Sequence, residues 1–436
     1  MATQLRLKVG RDSVRTFATG LLAGSFSILT GILIANVLGP LGKGEFSGVQ
    51  LLYTAVLSIT GGISSALTFY LTKGRRPLRS LLRSLSRIYV ILCVVAWLLV
   101  LGWGALRGFS IGMRVFAVVV PACIIISWQP SIYVSFDRIK YLNILNVALA
   151  FITLAGTAIT LLLWHTGVIG PLIAWSVGLY VTAAAVLVFA KSVVKQESVE
   201  PGPSDLEILN FSGRASLNNI ITFLNARIDS ILVITFLGVS GFGIYSMATG
   251  IAEFLYSLSQ AFATAIARPI GVSDFSVSAT FTAKAVRLNT IAVAVVSLAL
   301  FVLAPLLIGK IYGRPFLPAA APLRILLIGV VIFSSVRMLN AFFTYQLGRP
   351  IFSVYLMTAV TVIQAIGCLV LIPRFGLSGA ALASTLAYLI ATFGQCWYFC
   401  KITGLSMRSL WLPTMADFSQ IYQVATHTAR VAMGER

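Results

Sequence analysis

Apolar residues fall along this chain in long runs separated by short polar breaks, and twelve runs approach or exceed the roughly 20 residues needed to cross a bilayer as a helix. In the first half they are Thr16–Leu38, Phe46–Leu71, Ile88–Leu106, Ile111–Phe136, Leu142–Trp164 and Val168–Ala190. In the second half they are Ala215–Leu237, Phe242–Ala267, Val286–Ile308, Ala319–Leu347, Ile351–Ile372 and Leu377–Cys400. Pro121 and Pro130 fall inside the fourth run and Pro322 near the start of the tenth. Prolines of this kind kink membrane helices without ending them.

Polar residues inside the runs are spaced as helix faces. In the seventh, Asn218, Thr222, Asn225 and Asp229 form one narrow stripe, and in the eighth Ser246, Thr249, Glu253, Ser257, Gln260 and Thr264 do the same, with Tyr256 at its edge. The tenth run offers Arg337, Asn340 and Thr344, and the twelfth Ser384, Tyr388, Thr392 and Gln395. A weaker stripe of Thr16, Thr19, Ser27 and Thr30 marks the first. Small and polar stripes equally suit helix–helix packing. The stripes that carry carboxylates favour a hydrated cavity, because ionisable groups within a membrane span are expensive. Arg227 lies about 200° around the helix from Asp229, so the two cannot face each other. Arg227 pairs more naturally with a neighbouring helix, with Glu253 as one candidate, and such a pair can also be purely structural.

Composition agrees with the pattern. The 436 residues are 58% hydrophobic and only 10% charged, with a mean hydropathy of +0.96, against about 25% charged for soluble domains. The net charge of +20 would suit nucleic acid in a soluble protein. Here it is explained by basic cytoplasmic loops, and no nucleic-acid partner is expected. With a cytoplasmic N-terminus, 23 of the 32 Lys and Arg fall on inner segments and 7 on outer ones. The expectation is a multi-pass protein of the cell (inner or plasma) membrane with both termini cytoplasmic. The basic N-terminal segment resembles a signal peptide, but the run after it exceeds an h-region of about 7–15 residues.

Cys93, Cys123, Cys368, Cys396 and Cys400 lie in apolar runs without Cys-x-x-Cys spacing, so no metal or redox site is expected. His165 and His427 are the only histidines. No phosphate-cradling glycine loop followed by Lys-Ser/Thr occurs. No catalytic constellation emerges.

The chain repeats itself. Leu38 to Ser47 and Leu237 to Ser246 both spell L-G-x-x-G-x-G-x-[FY]-S at an offset of 199, each between two spans. Gly167 to Ala174 is echoed by Gly376 to Ala383 at an offset of 209. The glycines read as tight turns that need positive φ. Six spans per repeat means that both halves enter from one side, a parallel repeat with any substrate site near the midplane. The fold expected is an all-α polytopic membrane protein of about twelve helices in two six-helix lobes around a central cavity. Its parts are an N-terminal lobe over 1–200, a C-terminal lobe over 201–400 and a cytoplasmic tail over 401–436, with a flexible linker from Lys191 to Gly213. At the repeat offset, Arg227 and Asp229 correspond to Ile28 and Thr30, so substrate chemistry is expected mainly in the C-terminal lobe.

Between the second and third runs, Arg75, Arg79, Arg83 and Arg87 alternate with leucines, and the last three share a helical face. This suits an interfacial helix on an anionic leaflet, and a lipid-pyrophosphate site is the narrower reading.

The Leu-Gly-Pro-Leu-Gly-Lys-Gly-Glu-Phe turn, the Arg227-Ile228-Asp229 triplet followed by Gly243-Ile244-Tyr245, and the Ile372-to-Ala381 stretch resemble the polysaccharide-biosynthesis flippases. These belong to the multidrug/oligosaccharidyl-lipid/polysaccharide exporter superfamily. The resemblance covers roughly residues 10 to 400. It implies alternating access and movement of undecaprenyl-pyrophosphate-linked oligosaccharide to the outer leaflet for exopolysaccharide, O-antigen or related assembly. It implies a cationic cavity, onto which Arg227, Asp229 and Arg337 carry over. In the spans, Arg attracts pyrophosphate, Asn225, Gln260 and Tyr256 suit sugars, and Asp229 or Glu253 suits coupling to H⁺ or Na⁺. No cofactor is expected; anionic lipids, a polysaccharide polymerase and export machinery are the further partners implied. A cation-coupled drug or metabolite antiporter of the same superfamily is the alternative. A membrane-embedded glycosyltransferase or polymerase fits less well, because no outer loop is long.

Overall fold

The computed structural model describes residues 2–74, 76–107, 110–194, 203–348 and 350–412. Among these the regular structure is entirely helical, which bears out the all-α polytopic expectation. The principal helices are α1 (Ala2–Thr72), α2 (Leu78–Arg107), α3 (Ile111–Ser127), α4 (Gln129–Ser135), α5 (Ile139–Ala158) and α6 (Ile169–Val194). They continue with α7 (Asp205–Val272), α8 (Phe275–Ile311), α9 (Ala320–Ala341), α10 (Pro350–Thr403) and α11 (Met407–Trp411). Single π-helical turns extend α5 over Ile159–Leu163 and α9 over Phe342–Gln346.

Nine stretches of the described residues are long and apolar enough to cross a membrane. Three of them are each two spans joined at a glycine of positive φ: Gly39 (66°), Gly238 (72°) and Gly376 (56°). Counting those kinks gives the twelve spans expected. Gly39 and Gly238, one repeat apart, adopt nearly the same backbone, with ψ of −167° and −177°. A side chain at either position would strain that conformation.

The other glycines of the motif serve a different purpose from the turns expected of them. Gly44 and Gly243 are helical, and a Cβ on Gly44 would collide with the Val239 carbonyl, while one on Gly243 would collide with the Pro40 carbonyl. At the repeat offset these are the same contact made twice, with the roles of the halves exchanged.

Two further departures concern helix ends. The stretch expected to be linker up to Gly213 is helical from Asp205, well before Ala215. The Ser204 hydroxyl accepts from Glu207 N at 3.3 Å, and Asp205 and Glu207 in the first turn complement the helix dipole. Residues 195–202 lie outside the described residues. The fourth span is broken rather than merely bent: α3 ends at Ser127, and α4 restarts with Pro130 at its beginning, where no backbone donor is required. Pro121 sits within α3 without breaking it.

The chain divides into two compact units. Residues 1–227, 238–244 and 311–315 form the first, and residues 228–237, 245–310 and 316–436 the second. In the first, α1, α3, α5 and α6 pack together around Ile34, Phe46, Val119, Val120, Leu172 and Leu179. Leu78, Leu81 and Leu85 at the start of α2 join that core. In the second, α9 packs against α10, and Met338, Leu339, Phe342, Phe343 and Phe399 are fully buried.

Candidate functional site

Asp229 is the most deeply placed of the carboxylates singled out in the spans. It is 4% exposed, and its carboxyl accepts three hydrogen bonds. Oδ1 receives Ser230 N at 2.6 Å. Oδ2 receives the Tyr245 hydroxyl at 2.7 Å and the Ser384 hydroxyl at 3.1 Å. Ser384 Oγ in turn accepts Gln364 Nε2 at 3.0 Å. The acid on the seventh span is therefore held by groups of the eighth and twelfth, with the eleventh one bond further. Gln364 Oε1 is buried without a hydrogen-bond partner, close to this cluster. The order follows from donor inventory: a serine hydroxyl donates one proton and still accepts another, so it relays the amide to the acid.

A second arrangement in the same unit organises Arg337. Its guanidinium carbon stands 4.3 Å from the centre of the Tyr256 ring. Tyr256 stacks on Phe333 (centroids 5.2 Å, 16° between planes), and Phe333 stacks on Tyr388 (4.3 Å, 14°). Arg337 and Phe333 lie one helical turn apart on α9. The guanidinium thus caps a three-ring ladder, a favourable cation–π geometry, with its Nε buried and unbonded.

The other candidates are placed as follows. Arg227 and Asn225 are half-buried, whereas Asn218 and Thr222 are exposed, so the stripe on α7 sinks inward along its length to Asp229. Glu253 and Gln260 are exposed on their helix. In the twelfth span Ser384, Thr392 and Gln395 are fully buried. Arg79, Arg83 and Arg87 are exposed on the opposite face of α2 from Leu78, Leu81 and Leu85. The leucines of this segment are buried against protein, and the helix runs on into the third span. Arg87 Nη2 meets Asp205 Oδ1 at 3.0 Å, both partly exposed. Arg75 lies outside the described residues, as does the tail from residue 413.

Sequence reasoning missed a polar pocket in the first unit. It is an open pocket of about 600 Å³ among the second, fourth and fifth spans and the start of α7, lined by Ser64, Thr68, Gln129, Ser131, Asn146 and Asn219 among others. The Ser131 hydroxyl donates to the Ser64 carbonyl, lies 2.5 Å from Ser64 Oγ and accepts from Thr68 Oγ1 at 2.8 Å. Gln129 is 3% exposed, and its Nε2 has no hydrogen-bond partner. The signal available was the Ser127-Trp128-Gln129-Pro130-Ser131 run, polar and proline-broken in mid-span.

The fold is similar to that of solved transporter structures, some of them described as members of the multidrug/oligosaccharidyl-lipid/polysaccharide (MOP) superfamily. A solved structure of the lipid II flippase MurJ in an inward closed conformation matches with a TM-score of 0.75 at 14% identity, covering 91% of each chain. An inward-facing multidrug resistance MATE transporter of the MOP superfamily matches at 0.65 and 16% identity, over 90% of this chain and 98% of that one. A MOP superfamily transporter from Pyrococcus furiosus, described as having a binding pocket of reverse polarity, matches at 0.61 and 16% identity over 91% and 95%. No protein-family profile matches the sequence, and no curated protein does. The multi-pass membrane character agrees with the apolar helices and with these transporter neighbours.

Proposed function

We propose that this protein is a flippase that moves an undecaprenyl-pyrophosphate-linked oligosaccharide across the cell membrane by alternating access, for assembly of a surface polysaccharide. The observation that carries the reading is Arg337, a cation inside a membrane span whose guanidinium is fixed in orientation by the Tyr256–Phe333–Tyr388 ladder. A cation held at membrane depth is costly unless it serves a partner, and a pyrophosphate offers the charge-assisted, bidentate contacts a guanidinium prefers. Arg227 adds a second positive charge, and Asn225, Glu253 and Gln260 supply hydrogen-bonding groups for the glycan. The fold it shares with a lipid II flippase supports the same reading.

Asp229 is assigned the coupling role, with Glu253 as the second candidate acid. Uptake of H⁺ or Na⁺ at Asp229 would compete with the Tyr245 and Ser384 hydroxyls, and so would loosen the seventh span from the eighth and twelfth. Both termini are placed in the cytoplasm, and Arg79, Arg83 and Arg87, with Arg75, toward anionic lipid of the inner leaflet. A polymerase and export machinery of the same pathway are the expected partners.

The test is translocation of a fluorescent undecaprenyl-pyrophosphate glycan in proteoliposomes. Wild-type protein should move it to the opposite leaflet, and Arg337→Ala should not. The antiporter reading rests on the aromatic ladder and on the MATE neighbours. Exchange of a cationic dye against a proton or sodium gradient, with no movement of the lipid, would establish that alternative and sink the first.

A further inference from the structure

We propose that the pocket of the first unit is a binding site for a neutral sugar residue, read through Gln129, Ser131, Asn146 and Asn219. None of the side chains lining it is charged. An anionic headgroup or a cation would find no countercharge there, and unpaired ions are not taken from water without one. A lipid tail would offer no partner to the amides of Gln129, Asn146 and Asn219. Hydroxyls and carboxamides set among apolar surface from Tyr53, Leu57 and Pro130 are the lining a sugar needs. Each ring hydroxyl both donates and accepts, as do these groups, while the C–H faces lie against apolar or aromatic surface.

Gln129 points to a ligand independently of the lining. A buried amide N–H without an acceptor costs free energy, and Nε2 of this residue has none. The break of the fourth span sets this side chain on the pocket wall: α3 stops at Ser127, Trp128 caps it, and Gln129 opens α4 one residue before Pro130. Beside it, the Ser131 hydroxyl of the same helix and the Ser64 and Thr68 hydroxyls of α1 are tied to each other. Their protons are committed, and Ser131 Oγ is filled by its two incoming hydroxyls, so the lone pairs left are those of Ser64 and Thr68. Hydroxyls held in place in this way lower the ordering cost of binding. The volume of about 600 Å³ falls in the range of small-molecule sites. The pocket lies at the end of the unit where the turns after Thr72 and Ser135 occur. In the topology proposed above this is the cytoplasmic end, where a glycan made in the cytoplasm would enter.

The identity of the ligand as part of the transported lipid rests on the flippase reading; the pocket chemistry does not. The experiment uses purified full-length protein in nanodiscs, titrated with glucose, galactose, mannose and N-acetylglucosamine, and separately with inorganic pyrophosphate. Intrinsic fluorescence reports binding, since Trp128 adjoins Gln129 and Trp175 lies 5.3 Å from the Tyr53 ring. At least one sugar should give a saturable change that pyrophosphate neither produces nor competes away. Gln129→Leu should weaken it at least about tenfold, as the loss of a good hydrogen bond does. Asn146→Ala should do the same, and because Asn146 is exposed this variant keeps the test open if Gln129→Leu fails to fold. Binding by none of the four sugars, or equal binding by wild type and both pocket variants, overturns the proposal. Sugar binding without lipid translocation in proteoliposomes would sink the flippase reading alone, and translocation without sugar binding would sink the pocket alone.

Discussion

The Tyr245 hydroxyl donates to Asp229 Oδ2 at 2.7 Å, and one repeat earlier the same two positions are Phe46 and Thr30. Both earlier residues are as buried as their counterparts, at 2% exposure, and Thr30 spends its hydroxyl on the Phe26 carbonyl of its own helix. The two halves therefore share a backbone plan at this point, while only the second carries an acid and a donor that holds it.

Replacing Tyr245 by Phe should cost about 1–3 kcal/mol, the range for loss of a hydrogen bond to a buried or charged group, because Asp229 Oδ2 then keeps only Ser384. Thermal unfolding of the detergent-purified protein measures it. Asp229→Asn should leave the protein folded while abolishing the dependence of transport on the driving ion. Ion-dependent transport by Asp229→Asn at the wild-type level would remove Asp229 from the coupling role.

Gly44→Ala and Gly243→Ala should each destabilise the first unit by about 1–3 kcal/mol through overpacking against a carbonyl, and by similar amounts, because the contacts are equivalent across the repeat. Gly24→Ala, where a Cβ meets nothing, is the control. A melting temperature unchanged in either motif variant would contradict the close approach.

Arg337→Lys should not restore the activity lost in Arg337→Ala. A lysine carries the charge but cannot lie flat on Tyr256 or present a planar fork, and losing that stack costs about 1–2 kcal/mol of positioning. Lipid translocation by the two variants side by side decides it.

Single cysteines at Arg79 and Lys140 should label from the cytoplasmic side, and at Lys310 and Arg374 from the outside. Cys93, Cys123, Cys368 and Cys396 are buried and Cys400 is half-buried, so native thiols give a low background. Labelling of Arg79→Cys from outside would invert the proposed topology.

Hydropathy and repetition made the class legible before any coordinates, since a bilayer forces continuous apolar helices and a duplicated lobe repeats its turns. The twelve spans, the glycine of each turn and the prominence of Asp229 follow from residue order alone. One boundary was mis-set by local reading: the start of α7 was placed too late because its first turns are polar.

What residue order could not determine is which polar groups meet. Tyr245, Gln364 and Ser384 are separated from Asp229 by 16, 135 and 155 positions, and periodicity within one helix carries no information about the face of another that lies against it. The same holds for the pocket of the first unit, where Gln129 and Asn219 come from different helices. Sequence fixes the face on which a side chain stands; packing between helices fixes its partner, because only there do the donor and acceptor come within about 3 Å.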